Sequence, residues 1–352
     1  MTSEPVPPQP TLVDGAVTLR PWRADDAEAA RLQHDEEIAR WFHFPEVTPS
    51  AEQQGAAIER WREGYADGRR VVSFVVEVDG QVAGTVELRR QEHRDATGHL
   101  SWALFPAFRG RGHAVTAVRL LVDYAFGDLG LARVEAYVDP DNRRSVRLAT
   151  RAGLRREGQV RGYESGRDGV RRDAVLLARL ADDPEVGSGE MFRAALNAGL
   201  PRKRTISQGL VRNARGEVLL CELTYKRYWD LPGGVVDPDE SPAHAVLREV
   251  GEELQVPARL RRLAVVSWLP PWQGWDDAML YLFELSVAED EVARATLEPR
   301  EIRAIHWADA ETVRARCAPY TARLIEHATQ LLDAGAPTAY LENGEAPDWL
   351  FE

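Results

Sequence analysis

The chain has 352 residues, 44% hydrophobic and 28% charged, with a net charge of −12. That is the composition of soluble globular domains, in a chain long enough for two. The acidic balance argues against a main role in gripping a nucleic-acid backbone, and no apolar run reaches membrane-spanning length.

The only cysteines, Cys221 and Cys317, exclude a disulfide framework and suit a reducing, cytoplasmic setting. Residues 1–14 read as a proline-rich tail without the basic start or apolar core of a signal peptide. Val17–Arg20 is a short predicted strand, followed by a helix from about Ala24 to Trp41. Ser50 is a candidate cap for a second helix reaching about Ala66. Ser73–Val78 and Val82–Leu88 are strands joined at Asp79-Gly80, a hairpin signal, and His99–Leu104 is another strand. Next comes the turn Arg109-Gly110-Arg111-Gly112-His113-Ala114, opening a helix through about Phe126. Free N–H groups at a helix start attract an anion, and glycines let a pyrophosphate approach closely. Arg133–Val138 is a strand, Asn142–Ala152 a helix closed by Gly153, and Leu154–Tyr163 pairs with Ala174–Leu180. The arginines between Arg143 and Arg172 read mainly as a solvated, salt-bridged surface, with attraction for phosphates as the functional alternative.

The order of these elements carries more than any one of them. Arg109–Ala114 resembles the acyl-CoA loop of GNAT acetyltransferases. Leu19-Arg20-Pro21, Asn142-Arg143-Arg144-Ser145, Ala152-Gly153-Leu154 and Glu157-Gly158 resemble the RimJ/RimL-like branch, which acetylates protein N-terminal amines. The resemblance covers about Val17 to Leu180. It implies that the Arg109, Gly110, Arg111, Gly112, His113 and Ala114 loop holds acetyl-CoA, the acetyl donor. It implies that Trp102, Ala103 and Leu104 pair with the pantetheine arm and that Asn142 contacts the cofactor or a water. Ser145 matches a serine able to protonate the leaving thiolate, and Glu164 falls where some members keep a general base. Ser145 as a plain helix residue and Glu164 as a solvated loop residue remain open.

Asp182–Gly189 is a candidate linker, with a short helix at Met191–Leu196. Beyond it, Ile206–Arg212 and Glu217–Glu222 are strands around a turn at Asn213–Gly216. The segment Leu231-Pro232-Gly233-Gly234 to Val256 then sets a glycine pair, Glu240, and Arg248-Glu249-Val250-Gly251-Glu252-Glu253 at fixed spacing. Ser241-Pro242 is an N-cap followed by proline at the first helical position. Val246, Leu247, Val250 and Leu254 form a stripe at helical spacing. Glu249, Glu252 and Glu253 share another face, where like charges repel by about 0.2–0.5 kcal/mol per pair. A hard cation, Mg2+ or Mn2+, would turn that repulsion into attraction, and a diphosphate substrate needs such an ion. Arg248 sits four residues before Glu252 and is placed to orient it.

This segment resembles the Nudix box of hydrolases that cut nucleoside diphosphates linked to another moiety. The resemblance spans about Pro201–Leu332. It implies an αβα sandwich, metal binding by Gly233, Glu249, Glu252 and Glu253, catalytic roles for Glu249 and Glu252, and orienting roles for Arg248 and Glu240. Glu298 or Glu301 is a further candidate ligand or base, with a polar loop as the alternative. The family keeps glycine where this chain has Gln255, which puts the helix terminus in question. Trp268, Trp272 and Trp275 are candidates either to stack on a base or to pack a joint, and Tyr228 and Trp229 share that ambiguity.

The expected fold class is therefore α/β (α+β), a GNAT fold followed by a Nudix sandwich. The expected domains are a disordered tail at 1–14, acetyltransferase at 15–182, linker at 183–200, Nudix hydrolase at 201–335 and a C-terminal tail at 336–352. The expected function is bifunctional: acetyl-CoA-dependent N-acetylation of a protein N-terminus or small-molecule amine, and Mg2+-dependent hydrolysis of a nucleotide-type substrate. The alternative is one active enzyme with the other domain as a ligand-sensing module. Neither a membrane nor a stable nucleic-acid partner is expected.

Overall fold

The computed structural model describes residues 6–44, 48–91, 96–166, 168–272 and 274–351. The chain divides into two compact units, Met1–Leu200 and Pro201–Glu352. Among the described residues, no helix is long and apolar enough to cross a membrane.

The first unit is a mixed sheet covered by helices. Its elements are β1 (Leu12–Asp14), β2 (Val17–Arg20), α1 (Asp26–Arg31), α2 (Glu36–Trp41), α3 (Ala51–Ala66), β3 (Val71–Val78), β4 (Gln81–Arg90) and β5 (Thr97–Leu104). They continue with α4 (His113–Gly127), β6 (Arg133–Val138), α5 (Arg143–Arg151), β7 (Arg155–Ser165), β8 (Arg171–Leu180) and α6 (Gly189–Gly199). The strand order is β1-β2-β3-β4-β5-β6-β8-β7. All neighbours are antiparallel except β5 and β6. That parallel pair is joined only over Thr97–His99 and Arg133–Glu135. From Leu100 onward no strand among the described residues pairs with β5 on that side, so the sheet splits into a V.

Local signals account for most boundaries. Ser50 and Gln53 form a reciprocal capping box at the start of α3. Asp79 and Gly80 both take positive φ, 50° and 76°, as a tight hairpin turn requires. The core gathers Leu19, Phe74, Leu88, Leu121 and Leu177, all buried.

Two expectations differ from the structure. The single helix expected from Ala24 to Trp41 is two short helices, because Asp35 leaves the helix to cap Ile38 and to bind Arg109. The tail expected at 1–14 reaches the sheet: Leu12–Asp14 pairs with Val17–Leu19, and Gln9 donates to the Ser73 carbonyl. The short helix expected at Met191–Leu196 is α6, longer by a few residues at each end and capped by Ser188, with Met191 buried; before it the Asp183 carboxylate is bonded to Arg155.

The second unit comprises β9 (Arg204–Val211), β10 (Val218–Leu223), β11 (Gly233–Val235), α7 (Pro242–Leu254), β12 (Arg259–Leu269) and β13 (Ala278–Ser286). It ends with α8 (Glu289–Val292), β14 (Ile302–Ala308), α9 (Ala310–Arg316), α10 (Pro319–Asp333) and β15 (Ala339–Glu342). One sheet runs β11-β9-β13-β12-β15 and a second pairs β10 with β14. Strand alternation builds two cores. Leu210, Leu220 and Leu282 face Leu324 and Ile325 of α10. Val211, Leu219 and Phe283 face Val246, Val250 and Leu254 of α7. The result is a helix–sheet–helix sandwich. The C-terminal tail expected at 336–352 is corrected in part, since β15 adds to the sheet in parallel with Val265–Trp268.

Candidate active sites

In the first unit, the end of β5 turns into α4 through Gly110 and Gly112, at φ +79° and +89°. These left-handed turns suit glycine and bring the start of α4 to the mouth of the V. Among the described residues, the N–H groups of Gly110 to Ala114 donate no hydrogen bond, while those of Val115 and Thr116 return to the Gly112 carbonyl. Five free donors at a helix start form an anion cradle. The Arg109 side chain does not join that cradle. Its guanidinium donates to both Asp35 oxygens at 2.6 and 2.9 Å, to Glu37 at 2.8 Å and to the Leu104 carbonyl at 2.8 Å. Arg109 thus ties the start of α2 to the end of β5 and holds the Asp35 carboxyl below its usual range.

A cavity of about 640 Å³ runs along the V, and Trp102, Ala103, Asn142, Ser145 and Glu164 all line it. Asn142 caps α5, its Oδ1 accepting from the Ser145 N–H at 3.1 Å. Glu164 stands half-exposed on β7, 3.3 Å from His43 Nε2. The cavity floor is one face of the sheet. Directly opposed residues share a face, and the register pairs Glu87 with Ser101, Arg89 with His99, and His99 with Glu135. The roof comes from the α1–α3 region, including Trp22, Trp41, Phe42 and Trp61. Trp22 stacks on Trp61 at 4.9 Å and donates to Ser73. The sequence reading missed this roof, and it missed Glu87 and His99. Their only local signal is a polar residue on the half-buried face of a strand.

In the second unit, α7 begins where expected: Ser241 caps the His244 N–H and Pro242 follows. It ends at Gln255, which takes the left-handed conformation itself, φ 51° and ψ 41°. The helix terminus is therefore kept without glycine, at a cost of about 1 kcal/mol. Gly233 has φ +130°, and a Cβ there would meet the Ser207 carbonyl oxygen at 2.3 Å. At Gly234 a Cβ would strike the Glu249 carboxylate at 2.6 Å. Both glycines thus let β11 lie against β9 and α7.

Arg248 gathers the acidic face. It meets both oxygens of Glu240, then Glu249 at 3.1 Å and Glu252 at 3.0 Å. Its charge holds Glu240 below its usual range. Glu253 points inward instead, accepting from the Gly233 N–H at 2.9 Å. Burial, reinforced by the charges of Glu249, Glu301 and Asp230, pushes its carboxyl up to about 8. Burial also raises Glu249. Of the two further candidates, Glu301 acts electrostatically on both Glu249 and Glu253. Glu298 is turned to the Arg300 N–H. As the side chains stand, no three acidic, histidine or cysteine groups among the described residues enclose a metal position. The donor chemistry nevertheless fits a hard cation, since the crowded carboxylates on α7 would be relieved by one.

The aromatic candidates separate. Trp268 is anchored to Asp277, whereas Trp272 and Trp275 remain 45% and 59% exposed. Trp272 meets Tyr320 edge-on and Arg204 lies over Trp275. Trp229 stacks on His306 at 4.0 Å, and Arg227 lies over Tyr228.

Residues 16–155 match the acetyltransferase (GNAT) domain and residues 203–328 the NUDIX domain. The spermidine N(1)-acetyltransferase of Escherichia coli (strain K12) is 32% identical over 163 residues, 46% of this chain and 84% of the relative. The uncharacterized N-acetyltransferase p20 of Bacillus licheniformis is 27% identical over 161 residues, 45% of this chain and 89% of the relative. Among solved structures, Mycobacterium smegmatis RimJ in complex with CoA-disulfide has 26% identity and a TM-score of 0.43, covering 51% of this chain and 88% of its own.

Proposed function

The chain belongs to the GNAT acetyltransferases through its first unit and carries a Nudix domain in its second, and from that premise we propose that it is a bifunctional enzyme. The first unit transfers acetyl from acetyl-CoA to an amine. The second hydrolyses a nucleoside-diphosphate-linked compound with Mg2+ or Mn2+. We read the domains as Ala16–Leu200 and Pro201–Glu342, in a reducing, cytoplasmic setting that suits the buried free thiols of Cys221 and Cys317.

The observation that carries the transferase reading is the free run of N–H groups from Gly110 to Ala114 beside the open edge of β5. We assign Arg111–Ala114 to the CoA pyrophosphate and Trp102–Leu104 to the pantetheine arm, with Asn142 holding α5 beside it. Ser145 Oγ is the proton donor for the leaving thiolate. Glu164, beside His43, offers a carboxylate to the incoming ammonium. The acceptor is a protein N-terminus or a small-molecule amine. The E. coli relative acts, by its name, on spermidine, so a polyamine belongs in the test panel.

The hydrolase reading is carried by the Arg248–Glu240–Glu249–Glu252 cluster next to buried Glu253. We assign Gly233, Glu249, Glu252 and Glu253 to the metal. When bound, the ion neutralises the diphosphate and makes water a competent nucleophile. Arg248 and Glu240 orient the ligand carboxylates, and Glu249 and Glu252 hold the attacking water and its proton.

The full chain assayed with Mg2+ against nucleoside-diphosphate compounds, beside Glu252→Gln, tests the hydrolase. Acetyl-CoA with N-terminal peptides and polyamines tests the transferase. Turnover in both assays supports the bifunctional reading. Turnover in one, with ligand binding alone in the other, would replace it by one enzyme and a sensing module.

A further inference from the structure

We propose that His99 is the general base of acetyl transfer, an assignment that rests on reading the first unit as an acetyltransferase. His99 is the last residue of β5 paired to β6, opposite Glu135. The free edge of β5, where a thioester arm can bind, starts at the next residue. His99 therefore stands at the inner end of the slit. It lines the cavity together with Ser101 and Ala103 on its own face and Ser145 across the gap. Among the described residues, no group hydrogen-bonds to its ring, which meets Tyr137 edge-on at 5.4 Å. Glu164 is placed less well for this task. It is half-exposed and bonded to His43 across the roof.

The surroundings suit a base at neutral pH. Burial lowers the imidazole below its usual range, so it is uncharged and able to accept a proton. The charges facing it are Glu87 and Arg89 from β4, Glu135 from β6 and Glu164 from β7. Tyr137 and Tyr163 stack beside it, and His34, His43 and Arg60 line the roof side. The carboxylates oppose the effect of burial and would stabilise the imidazolium once it forms.

The step balances as follows. The acceptor enters as an ammonium, and His99 takes one proton. The freed lone pair forms the C–N bond at the thioester carbonyl carbon, and the C–S bond breaks. The second nitrogen proton reaches the thiolate through Ser145 Oγ, leaving amide and free CoA thiol. His99 then passes its proton to solvent.

The test is the pH dependence of kcat/KM for the full chain with acetyl-CoA and a panel of N-terminal peptides and polyamines. Wild type should show an acid limb. His99→Gln should lose about 100-fold or more in kcat/KM, lose that limb and regain rate at high pH, while binding CoA as before. His99→Ala should be partly restored by added imidazole, which a merely structural histidine would not allow and which needs only folded protein. Glu164→Gln should keep the limb. A limb that survives His99→Gln, or that vanishes in Glu164→Gln, overturns this assignment alone. A wild type that acetylates no amine overturns the transferase reading and this assignment with it.

Discussion

Arg248 meets Glu240 edge-on, its Nε 2.9 Å from one carboxylate oxygen and its Nη2 3.0 Å from the other. The fork leaves Nη1 to donate to Glu249 and Glu252. One guanidinium therefore sets the orientation of two carboxylates on α7 from an anchor in the preceding loop. Lysine has the charge but not the fork. Arg248→Lys should lower metal affinity and hydrolase kcat/KM by about 10- to 100-fold while the thermal unfolding of the protein changes little. Isothermal titration with Mn2+ beside steady-state kinetics checks it. Retention of full activity would remove Arg248 from the site.

Glu253 should make the stability of the second unit depend on pH. Its carboxyl ordinarily titrates near 4.5 and is pushed up to about 8 in the fold. Between those values the folded state binds the extra proton, so stability falls as pH rises through that window. The loss is on the order of a few kcal/mol. Without divalent cation, the melting temperature of the second unit should therefore drop between about pH 4.5 and pH 8. Glu253→Gln should flatten that dependence, and Mg2+ should restore wild-type stability at the alkaline end. Calorimetry with and without chelator is the measurement, and a flat wild-type curve would contradict it.

Gly233 cannot be replaced cheaply. Its φ of +130° disfavours any side chain, and a Cβ would sit 2.3 Å from the Ser207 carbonyl oxygen, in backbone that cannot rotate aside. Gly233→Ala should cost about 1–3 kcal/mol and lower hydrolase activity with it, because the displaced N–H is the donor to Glu253. Urea denaturation of the variant reads the cost directly.

Arg109 lies beside the anion cradle but spends its charge on Asp35 and Glu37. Arg109→Ala should weaken CoA binding by loosening α2 and the glycine turn. It should leave the salt dependence of that binding unchanged, since screening acts on charges that face the phosphates. A CoA titration at low and high salt separates the two cases. A flatter salt dependence in the variant would mean that the guanidinium does reach the phosphates.

The helix α7 was readable from sequence almost residue by residue. Ser241-Pro242 opens it and the Val246–Val250–Leu254 stripe buries it, but the one acidic face expected of Glu249, Glu252 and Glu253 divides, because Glu253 turns into the fold. Gly110 and Gly112 were equally legible. In each case the determinant lies within a few residues: a cap, a helical period, a positive φ. The tertiary structure decided the rest. Glu252 and Glu253 are chain neighbours, yet one is exposed beside Arg248 and the other is buried against the Gly233 N–H. Which carboxyl titrates near 8 depends on β11 lying over the helix. Arg109 finds Asp35 across 74 positions of chain. His99 joins Glu87 and Tyr137 only through strand register and the point at which β5 parts from β6. Ala339–Glu342 becomes a strand because β12 offers a free edge. Burial and cross-strand pairing are non-local, and so, therefore, are the electrostatics of both sites.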